Sequence, residues 1–573
     1  MLRYILLPII IISIYFSTLW HSASLVKLPE LPSHDNVLLV PLDSRPVCST
    51  MVQKLGKLAG VNVIVPPKEL LDNYQESADS KKLWLWLQNK APKVPSSIVS
   101  ADILLHGSLL QTRQHIATQA EQDEFLRQLD ALQSTLQRAS FSQSVAKSEV
   151  KGSRTSKTQG PAHELSLFSV IPRLLVSDEV YPDCWYQWHL MRYSQLLDMV
   201  EINGDYAMTK ELVEYKEEIP REILEKYTHI FTQSQKFNEK LLAKKATVII
   251  GQDDSSPFGL PHRSARQLES FINANAFTSR AQLTNGADEI GALLLTRHFL
   301  QQSKWRPRLH VHFGSSGAEF KHMPYMAAST GATLRNQAQL IGAELTDEKD
   351  DADIILFVHC GDDDAQPTAA EAEQLARFLD EGKHVALIDL SANFEAGEML
   401  LPLLLQKGVP VNRLAAYAGW NTFSNSSGTV LAQSVLFVGR LRQLQVPQSA
   451  KAVAALYAAN LNFTAERMLE DFYYQKLIHP QLRPYLESFG TTPTDLEPQE
   501  KLETEQYIHQ RLSFYAAKLL WQDLGRTPFY KDAQHSYYLD TLTVGAKLPW
   551  NRIFEVDLNV HSRVSCRSFD KGT

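Results

Sequence analysis

Short runs of apolar, largely β-branched residues recur along this chain, and most are followed by a segment with helical spacing. Nine of these runs are predicted strands: residues 36–43, 61–67, 101–110, 165–174, 246–254, 308–315, 352–360, 384–391 and 413–420. Apolar runs of this length that alternate with helices are typical of parallel strands buried on both faces. The sequence therefore predicts an α/β fold of mostly parallel strands alternating with helices, with two open sheets favoured over one closed barrel.

Breaks in this pattern predict the domain boundaries. The interval 255–305 has only helical spacing, so an N-terminal α/β domain is expected at 36–270 and a second α/β domain at 271–438. Residues 139–164 are rich in Ser, Lys, Thr and Gly, which predicts a flexible surface insertion. Apolar residues at three- and four-residue spacing predict a mainly helical C-terminal region at 439–573, which closes with an alternating strand.

The N-terminal 24 residues have the composition of a targeting segment. Arg3 precedes an uncharged apolar run at 4–20, and the small residues at 22–24 follow it. This pattern predicts a secretory signal that is cleaved near Ser24, and hence an exported, periplasmic or extracellular protein. A run of this length is near the lower limit for crossing a bilayer, so an uncleaved inner-membrane anchor is the alternative.

Composition excludes several classes of partner and cofactor. The chain has 573 residues, a formal net charge of −7 and no basic patch, so nucleic acid is not an expected partner. It has neither a P-loop nor a G-x-G-x-x-G after a strand, and no cofactor is predicted. The four cysteines are too scattered for a disulfide scaffold or a cysteine-based zinc motif: Cys48, Cys184, Cys360 and Cys566. Two alternatives remain, a single disulfide or buried free thiols.

Charged residues follow nearly every predicted strand, at the edge where parallel sheets bind ligands. Each of these residues could instead have a purely structural role. Asp43, for example, follows a strand at a position where Asp commonly caps the next helix. Their repetition favours one cleft, in which arginines pair with carboxylates because several anions are not stable together in a partly dry site. The six residues expected to face this cleft are Asp43, Arg45, Arg173, Asp253, Asp254 and Asn421, and Arg113 is predicted as a further substrate-binding residue.

Two consecutive carboxylates end the fifth predicted strand, in the segment GQDDSSPFG. If Asp253 and Asp254 both face the cleft, their repulsion raises the pKa of one of them. An acid beside an anion is the arrangement that general acid/base chemistry at a glycosidic bond requires. The structural alternative is a turn in which an Asp side chain accepts a backbone hydrogen bond.

The segment YAGWNTFSNSSGT, residues 417–429, places large rings beside many short polar groups. The faces of Tyr417 and Trp420 suit the apolar faces of sugar rings, while Asn421 and Asn425 supply amides for hydroxyl groups. This pattern predicts a sugar-binding segment. The alternative is a corner in which the asparagines cap a helix and Trp420 fills the core.

Seven blocks together resemble a bacterial family of unknown function, DUF4127: VPLDSRPV, PPKELL, IPRL, GQDDSSPFG, NGADEIGALLLTRHF, AYAGWNTFSNSSGT and LPWNRIFEVDL. The resemblance extends over residues 36–560, interrupted at 139–164. It implies a bacterial α/β protein and specifies no chemistry. This chain departs from the family pattern YGG…SR, because it has HGSLLQTR at that place, with His106, Gly107, Thr112 and Arg113.

The residues favour an exported carbohydrate-active enzyme, a glycoside hydrolase with Asp253 and Asp254 as its catalytic pair. Its expected partner is a glycan or another polyhydroxylated small molecule, and membrane contact is expected only through the N-terminal anchor. A non-catalytic glycan-binding envelope protein is one alternative. The other is a metal-dependent hydrolase, whose metal ligands would be Asp43, Asp253, Asp254, His359 and Asp389.

Overall fold

A computed structural model describes residues 24–150, 163–174, 185–444 and 450–568. The first described element is strand β1, Ser24–Val26. The expected signal or anchor otherwise lies outside the described residues, as does Cys184, while Cys48, Cys360 and Cys566 are free thiols. Among the described helices, none combines the length and the apolar character that crossing a membrane requires.

The first parallel sheet has six strands: β2 Asp35–Val40, β3 Val61–Ile64, β4 Ser96–Ser100, β5 Glu164–Ile171, β6 Thr247–Gln252 and β7 Ala281–Asn285. Their order is β3-β2-β4-β5-β6-β7. The helices of this unit are α1 Thr50–Ala59, α2 Ser80–Lys90, α3 Ala101–Leu105, α4 Gln119–Val150, α5 Gln187–Asn203, α6 Tyr206–Glu218, α7 Arg221–Leu242, α8 Leu260–Ala274 and α9 Ile290–Ser303.

The second parallel sheet has five strands: β8 Arg308–Phe313, β9 Glu344–Leu345, β10 Ile354–Gly361, β11 Val385–Ser391 and β12 Ala416–Ala418. Their order is β12-β11-β10-β8-β9, so in both sheets the first strand lies between the second and the third. This doubly wound order creates a ligand-binding crevice at the carboxyl ends of the strands. The helices of this unit are α10 Thr330–Ile341, α11 Ala369–Asp380, α12 Leu401–Lys407 and α13 Phe423–Leu444.

The C-terminal region begins with helices and ends in an antiparallel sheet. Its helices are α14 Ala450–Arg467, a π-helix Met468–Ile478, α15 His479–Ser488, α16 Pro498–Leu519 and a π-helix Leu520–Leu524. Its strands are β13 Tyr530–Lys531, β14 His535–Lys547 and β15 Asp557–Ser568, which pair with β1 in the order β1-β15-β14-β13. Two parallel sheets that alternate with helices and precede a helical C-terminal region confirm the predicted fold class.

One hydrophobic core joins the two parallel sheets. It includes Leu39 on β2, Val52 on α1, Leu293 on α9, Leu356 on β10 and Val435 on α13. Helix α13 is buried along almost its whole length. The two units are therefore packed against each other through α1, α9 and α13.

Several predicted element boundaries were wrong. The run at 101–110 is not a strand, because the strand is the preceding serine-rich segment β4 and helix α3 follows it directly. The interval 255–305 is not wholly helical, since the polar edge strand β7 lies within it. The first part of the expected insertion, up to Val150, continues helix α4, and residues 151–162 lie outside the described chain. The closing strand begins only at Asp557, and its partner β14 was not expected.

A buried ion triad lies at the amino-terminal edge of the first sheet. The imidazole of His298 on α9 lies 2.7 Å from the Asp35 carboxylate and 2.9 Å from that of Glu164. Burial alone would lower the pKa of His298, but these two carboxylates raise it to about 9. The imidazolium therefore ties α9 to the first residues of β2 and β5.

Replacing His298 by Gln should destabilise the protein in a pH-dependent way. The folded-state pKa of about 9 lies above the ordinary 6.5, so the stabilisation is fully present below pH 6.5 and is lost as the pH rises through about 9. The free energy of unfolding should fall by about 2–3 kcal/mol at pH 6 and much less at pH 10, as measured by chemical denaturation. The exposed His322→Gln variant is the control, and an equal loss at both pH values would contradict the ion triad.

Two helical glycines make a matched pair for the packing of α13. A Cβ atom at Gly428 on α13 would lie 2.5 Å from Cγ of Glu289, whereas one at Gly291 on α9 would lie 3.6 Å from Leu39. Gly428→Ala should therefore lower the free energy of unfolding by about 1–3 kcal/mol. Gly291→Ala should leave it unchanged or raise it by up to about 1 kcal/mol, because Ala favours helix. Equal effects in denaturation would show that α13 is not tightly packed there.

Candidate functional site

A cleft of about 830 Å³ opens at the carboxyl ends of the strands of the first sheet. The loops after β2, β4, β5, β6 and β7 each contribute charged side chains to its wall. The second unit contributes the segment that precedes α13, and the C-terminal region contributes the loop between β14 and β15. The cleft contains all six residues expected to face it, and Arg113 and Asn425 in addition: Asp43, Arg45, Arg113, Arg173, Asp253, Asp254, Asn421 and Asn425.

Asp253 and Asp254 follow β6, and each carboxylate has its own arginine. Arg113 donates to Asp253 at 2.7 Å, and Arg173 donates to Asp254 at 2.8 Å. The Asp253 carboxylate also accepts the backbone N–H of Asp254 at 2.9 Å. The side chain of Asp253 is 6% exposed and that of Asp254 is 23% exposed, so Asp254 is the carboxyl that a ligand can reach more easily.

The two neighbouring carboxyls have opposite pKa shifts. Burial works to raise the pKa of Asp253, but Arg113 and Arg173 outweigh it and the pKa is lowered. Burial and the adjacent Asp253 anion raise the pKa of Asp254 above its ordinary value, against the two arginines. The pair thus has one carboxyl with a lowered pKa beside one with a raised pKa, which is the direction expected from the repulsion between adjacent carboxylates.

A second charged group lies next to this pair. The Arg45 guanidinium donates to Asp43 at 2.9 Å and makes two hydrogen bonds to Asp288. Burial raises the pKa of Asp288 to about 6 even though Arg45 lowers it. Burial likewise raises the pKa of the adjacent Glu289 to about 8. Sequence reasoning missed both acids, because the short polar strand β7 that they follow was not recognised.

The loop between β14 and β15 supplies an aromatic wall. The indole N–H of Trp550 donates to the Ser44 hydroxyl at 2.9 Å, and its ring centroid lies 5.4 Å from that of Tyr74. The Arg552 guanidinium lies 4.6 Å from the Tyr74 ring centroid and 4.8 Å from that of Trp550. Phe554 also lines the cleft. This contact could not be predicted from local sequence, because Trp550 and Ser44 are far apart along the chain.

Tyr417 and Trp420 do not line the cleft, which corrects the prediction that they contact a sugar. Tyr417 is fully buried on β12, and Trp420 is 3% exposed. The Ser426 hydroxyl donates to the Trp420 carbonyl, and the Asp471 carboxylate accepts the N–H of Gly419. These hydrogen bonds hold the backbone of the segment, and both rings are buried, so their faces are not available for stacking.

The asparagines of the same segment do reach the cleft. Asn425 donates to Asp288 at 3.3 Å, and Asn421 lines the wall beside it. The first turn of α13 is capped by Thr422, whose hydroxyl lies 3.4 Å from the Asn425 backbone nitrogen. The segment therefore has two kinds of residue. The rings of Tyr417 and Trp420 pack in the core beside α13, and the amides of Asn421 and Asn425 face the cleft.

Backbone strain is concentrated at this cleft. Non-glycine residues rarely adopt positive φ, and such residues cluster at functional sites. Tyr74, Tyr325 and Asn421 have φ values of 57°, 62° and 54°, and all three line the cleft. The surrounding structure thus holds two aromatic rings and one amide in conformations that an unconstrained chain disfavours.

The predicted metal ligands do not converge. His359 hydrogen-bonds to Glu371 and to the Glu398 carbonyl, and Asp389 accepts two backbone N–H groups at the start of α12. Both belong to the second sheet and lie outside the cleft, where they stabilise their own unit.

Within the described ranges, one group of three candidate ligands has its ligand atoms close together: Asp43, Cys48 and Asp288. The Arg45 guanidinium already supplies the cation between these two carboxylates, and burial raises the pKa of the Cys48 thiol well above its usual range. This donor set therefore fits an arginine better than a metal ion.

Comparison with known proteins agrees with the resemblance noted in the sequence blocks. A search of curated proteins found no match. The family described as "Protein of unknown function (DUF4127)" matches residues 37–559, which include every residue of the cleft named above. The chain belongs to the DUF4127 family.

Proposed function

We propose that this protein hydrolyses glycosidic bonds in an exported, periplasmic or extracellular setting. The observation that supports the chemistry best is the pair of adjacent cleft carboxyls with opposite pKa shifts, Asp253 lowered and Asp254 raised. The N-terminal apolar run at 4–20 supports export. The carbohydrate ligand is supported by a cleft that has both amide and aromatic walls.

Asp254 is the general acid in this proposal. It is the more exposed carboxyl of the pair, and its raised pKa favours the protonated form that donates to the leaving oxygen. As the bond between the anomeric carbon and that oxygen breaks, the proton of Asp254 moves to the oxygen. A water molecule then adds to the anomeric carbon and returns a proton to Asp254. Asp253 remains an anion and stabilises the positive charge that develops on the sugar.

The charge balance of the cleft favours an uncharged ligand. Each arginine that lines the cleft has a carboxylate partner: Arg45 with Asp43 and Asp288, Arg113 with Asp253, Arg173 with Asp254, Arg483 with Glu487, and Arg552 with Glu555. A phosphate or another strong anion would have to displace one of these partners. A neutral polyhydroxylated ligand would instead use Asn421, Asn425 and the exposed ring faces.

Asp254→Asn is the direct test of the acid. Asn cannot donate the proton, so kcat on a natural glycoside, whose leaving group is poor, should fall by about 10²-fold or more. Wild type and variant are compared on a panel of aryl glycosides and oligosaccharides. The control is Asp523→Asn, which removes another buried carboxyl with a raised pKa that lies outside the cleft, and it should remain active.

Three outcomes separate the alternatives. An active wild type whose Asp254→Asn form is equally active contradicts the assignment of the acid. Binding of glycan fragments without turnover, seen by calorimetry, favours a non-catalytic glycan-binding protein. Activity that chelators abolish favours the metal-dependent alternative over this proposal.

The pH dependence of the rate gives a second prediction. The rate should fall at low pH as Asp253 becomes protonated and at high pH as Asp254 loses its proton. Arg173 lowers the pKa of Asp254, so Arg173→Gln should move the high-pH limb of kcat/KM to higher pH. Arg483→Gln is the matched control, because this cleft arginine pairs with the exposed Glu487 and should leave both limbs in place. An unmoved high-pH limb in Arg173→Gln would contradict Asp254 as the acid.

A further inference from the structure

Exposed aromatic rings lie along the open side of the cleft. Trp188 on α5 is 78% exposed and Tyr325 is 53% exposed, and both line the cleft together with Phe258 and Phe554. Large rings left in water next to a cleft are typical of a binding surface, because their burial by a ligand is favourable. These rings surround the acid pair and do not form part of it.

Tyr325 connects this surface to the acid pair. Its carbonyl accepts the backbone N–H of Ser255 at 3.1 Å, and Ser255 directly follows Asp254. Although Tyr325 belongs to the second unit, its backbone is thus held next to that of the proposed general acid, and both residues line the cleft. Its φ of 62° is a strained backbone conformation, which the surrounding structure maintains.

The aromatic surface continues beyond the cleft onto the second sheet. The ring of Phe394, in the loop after β11, lies 6.2 Å from that of Tyr325 between centroids. The Lys476 ammonium lies 4.9 Å from the Phe394 centroid and supports that ring from the protein side, while Phe394 remains 38% exposed. Phe394 also has a φ of 62°. Two neighbouring exposed rings with the same rare conformation indicate that the fold holds both of them in place.

We propose that Tyr325 and Phe394 form an outer subsite, so that the ligand is a chain of several sugar units that extends from the acid pair across the edge of the second sheet. This inference rests on the proposed glycoside chemistry, which it deepens. Stacking of successive sugar rings on the two aromatic faces places one unit beside Asp254 and the next units on Tyr325 and Phe394. Chains of several units should therefore bind more tightly than short glycosides.

Binding as a function of chain length tests the outer subsite. Calorimetry with chito-, cello- and xylo-oligosaccharides of two to six units is carried out on Asp254→Asn protein, in which hydrolysis is blocked. In at least one series the Kd should fall as units are added, and Phe394→Ala should weaken binding of the long members by about threefold to tenfold without affecting the disaccharide. Phe514→Ala is the control, since Phe514 is an exposed ring on α16 outside the cleft.

The outcomes distinguish this inference from the proposed function. Length-dependent binding that Phe394→Ala weakens, with no release of reducing ends by the wild type, would support the subsite and contradict hydrolysis. Hydrolysis of short glycosides with no dependence of Kd on length would contradict the subsite alone. Equal effects of Phe394→Ala and Phe514→Ala, or no binding in any series, would also overturn it.

Discussion

The burial of helix α13 between the two parallel sheets is the constraint on which the rest of the structure depends. A helix whose first turns contain Ser424, Asn425, Ser426 and Ser427 can be buried only if each polar group has a partner. The partners come from the helix itself, from Trp420 and Thr422 just before it, from Gln337 and from Asp288. Its glycine and serines allow the close approach of α9, which carries Asp288 and Glu289 just before its first turn. The packing that joins the two units thus also builds the floor of the cleft.

That floor brings together more carboxyl groups than a partly dry site accepts as anions. Asp43 and Asp288 share Arg45, while Asp253 and Asp254 each bind their own arginine. The rest of the charge is removed by protonation, since burial raises the pKa of Glu289 to about 8. The arginines outweigh burial at Asp253 but not at Asp254, so the two neighbouring carboxyls have opposite pKa shifts.

The sequence identified the features that depend on local pattern. Both faces are buried in the central strands, which therefore have apolar runs that the sequence pattern detects: β2, β5, β6, β10 and β11. Asp253 and Asp254 were predicted to line the cleft because ligands bind at the carboxyl ends of parallel strands. Strands β4 and β7 were not predicted because they contain polar residues, which break the apolar pattern. Tertiary hydrogen bonds satisfy these residues in the folded chain, as between Ser97 and His163. Trp420 was wrongly predicted to contact a sugar, because its burial depends on tertiary packing against α13 and the C-terminal helices. Trp550 reaches the cleft through the β14–β15 hairpin, and local sequence contains no signal for such a contact.

Backbone strain and buried carboxyls with shifted pKa values occur together at the cleft. Three strained residues and the shifted carboxyls line the same cleft, whereas the amino-terminal edge of the first sheet has a fully paired ion triad at His298. Strained backbone conformations and buried carboxyls with raised pKa values each oppose folding. They persist only where the surrounding packing determines their positions. The core that α1, α9 and α13 form supplies this rigidity directly beneath the cleft. Because the C-terminal loop with Trp550 closes the site from the other side, all three regions of the chain must be folded before the cleft exists. This coupling explains why residues so distant in sequence form one site, and the family match over residues 37–559 includes all of them.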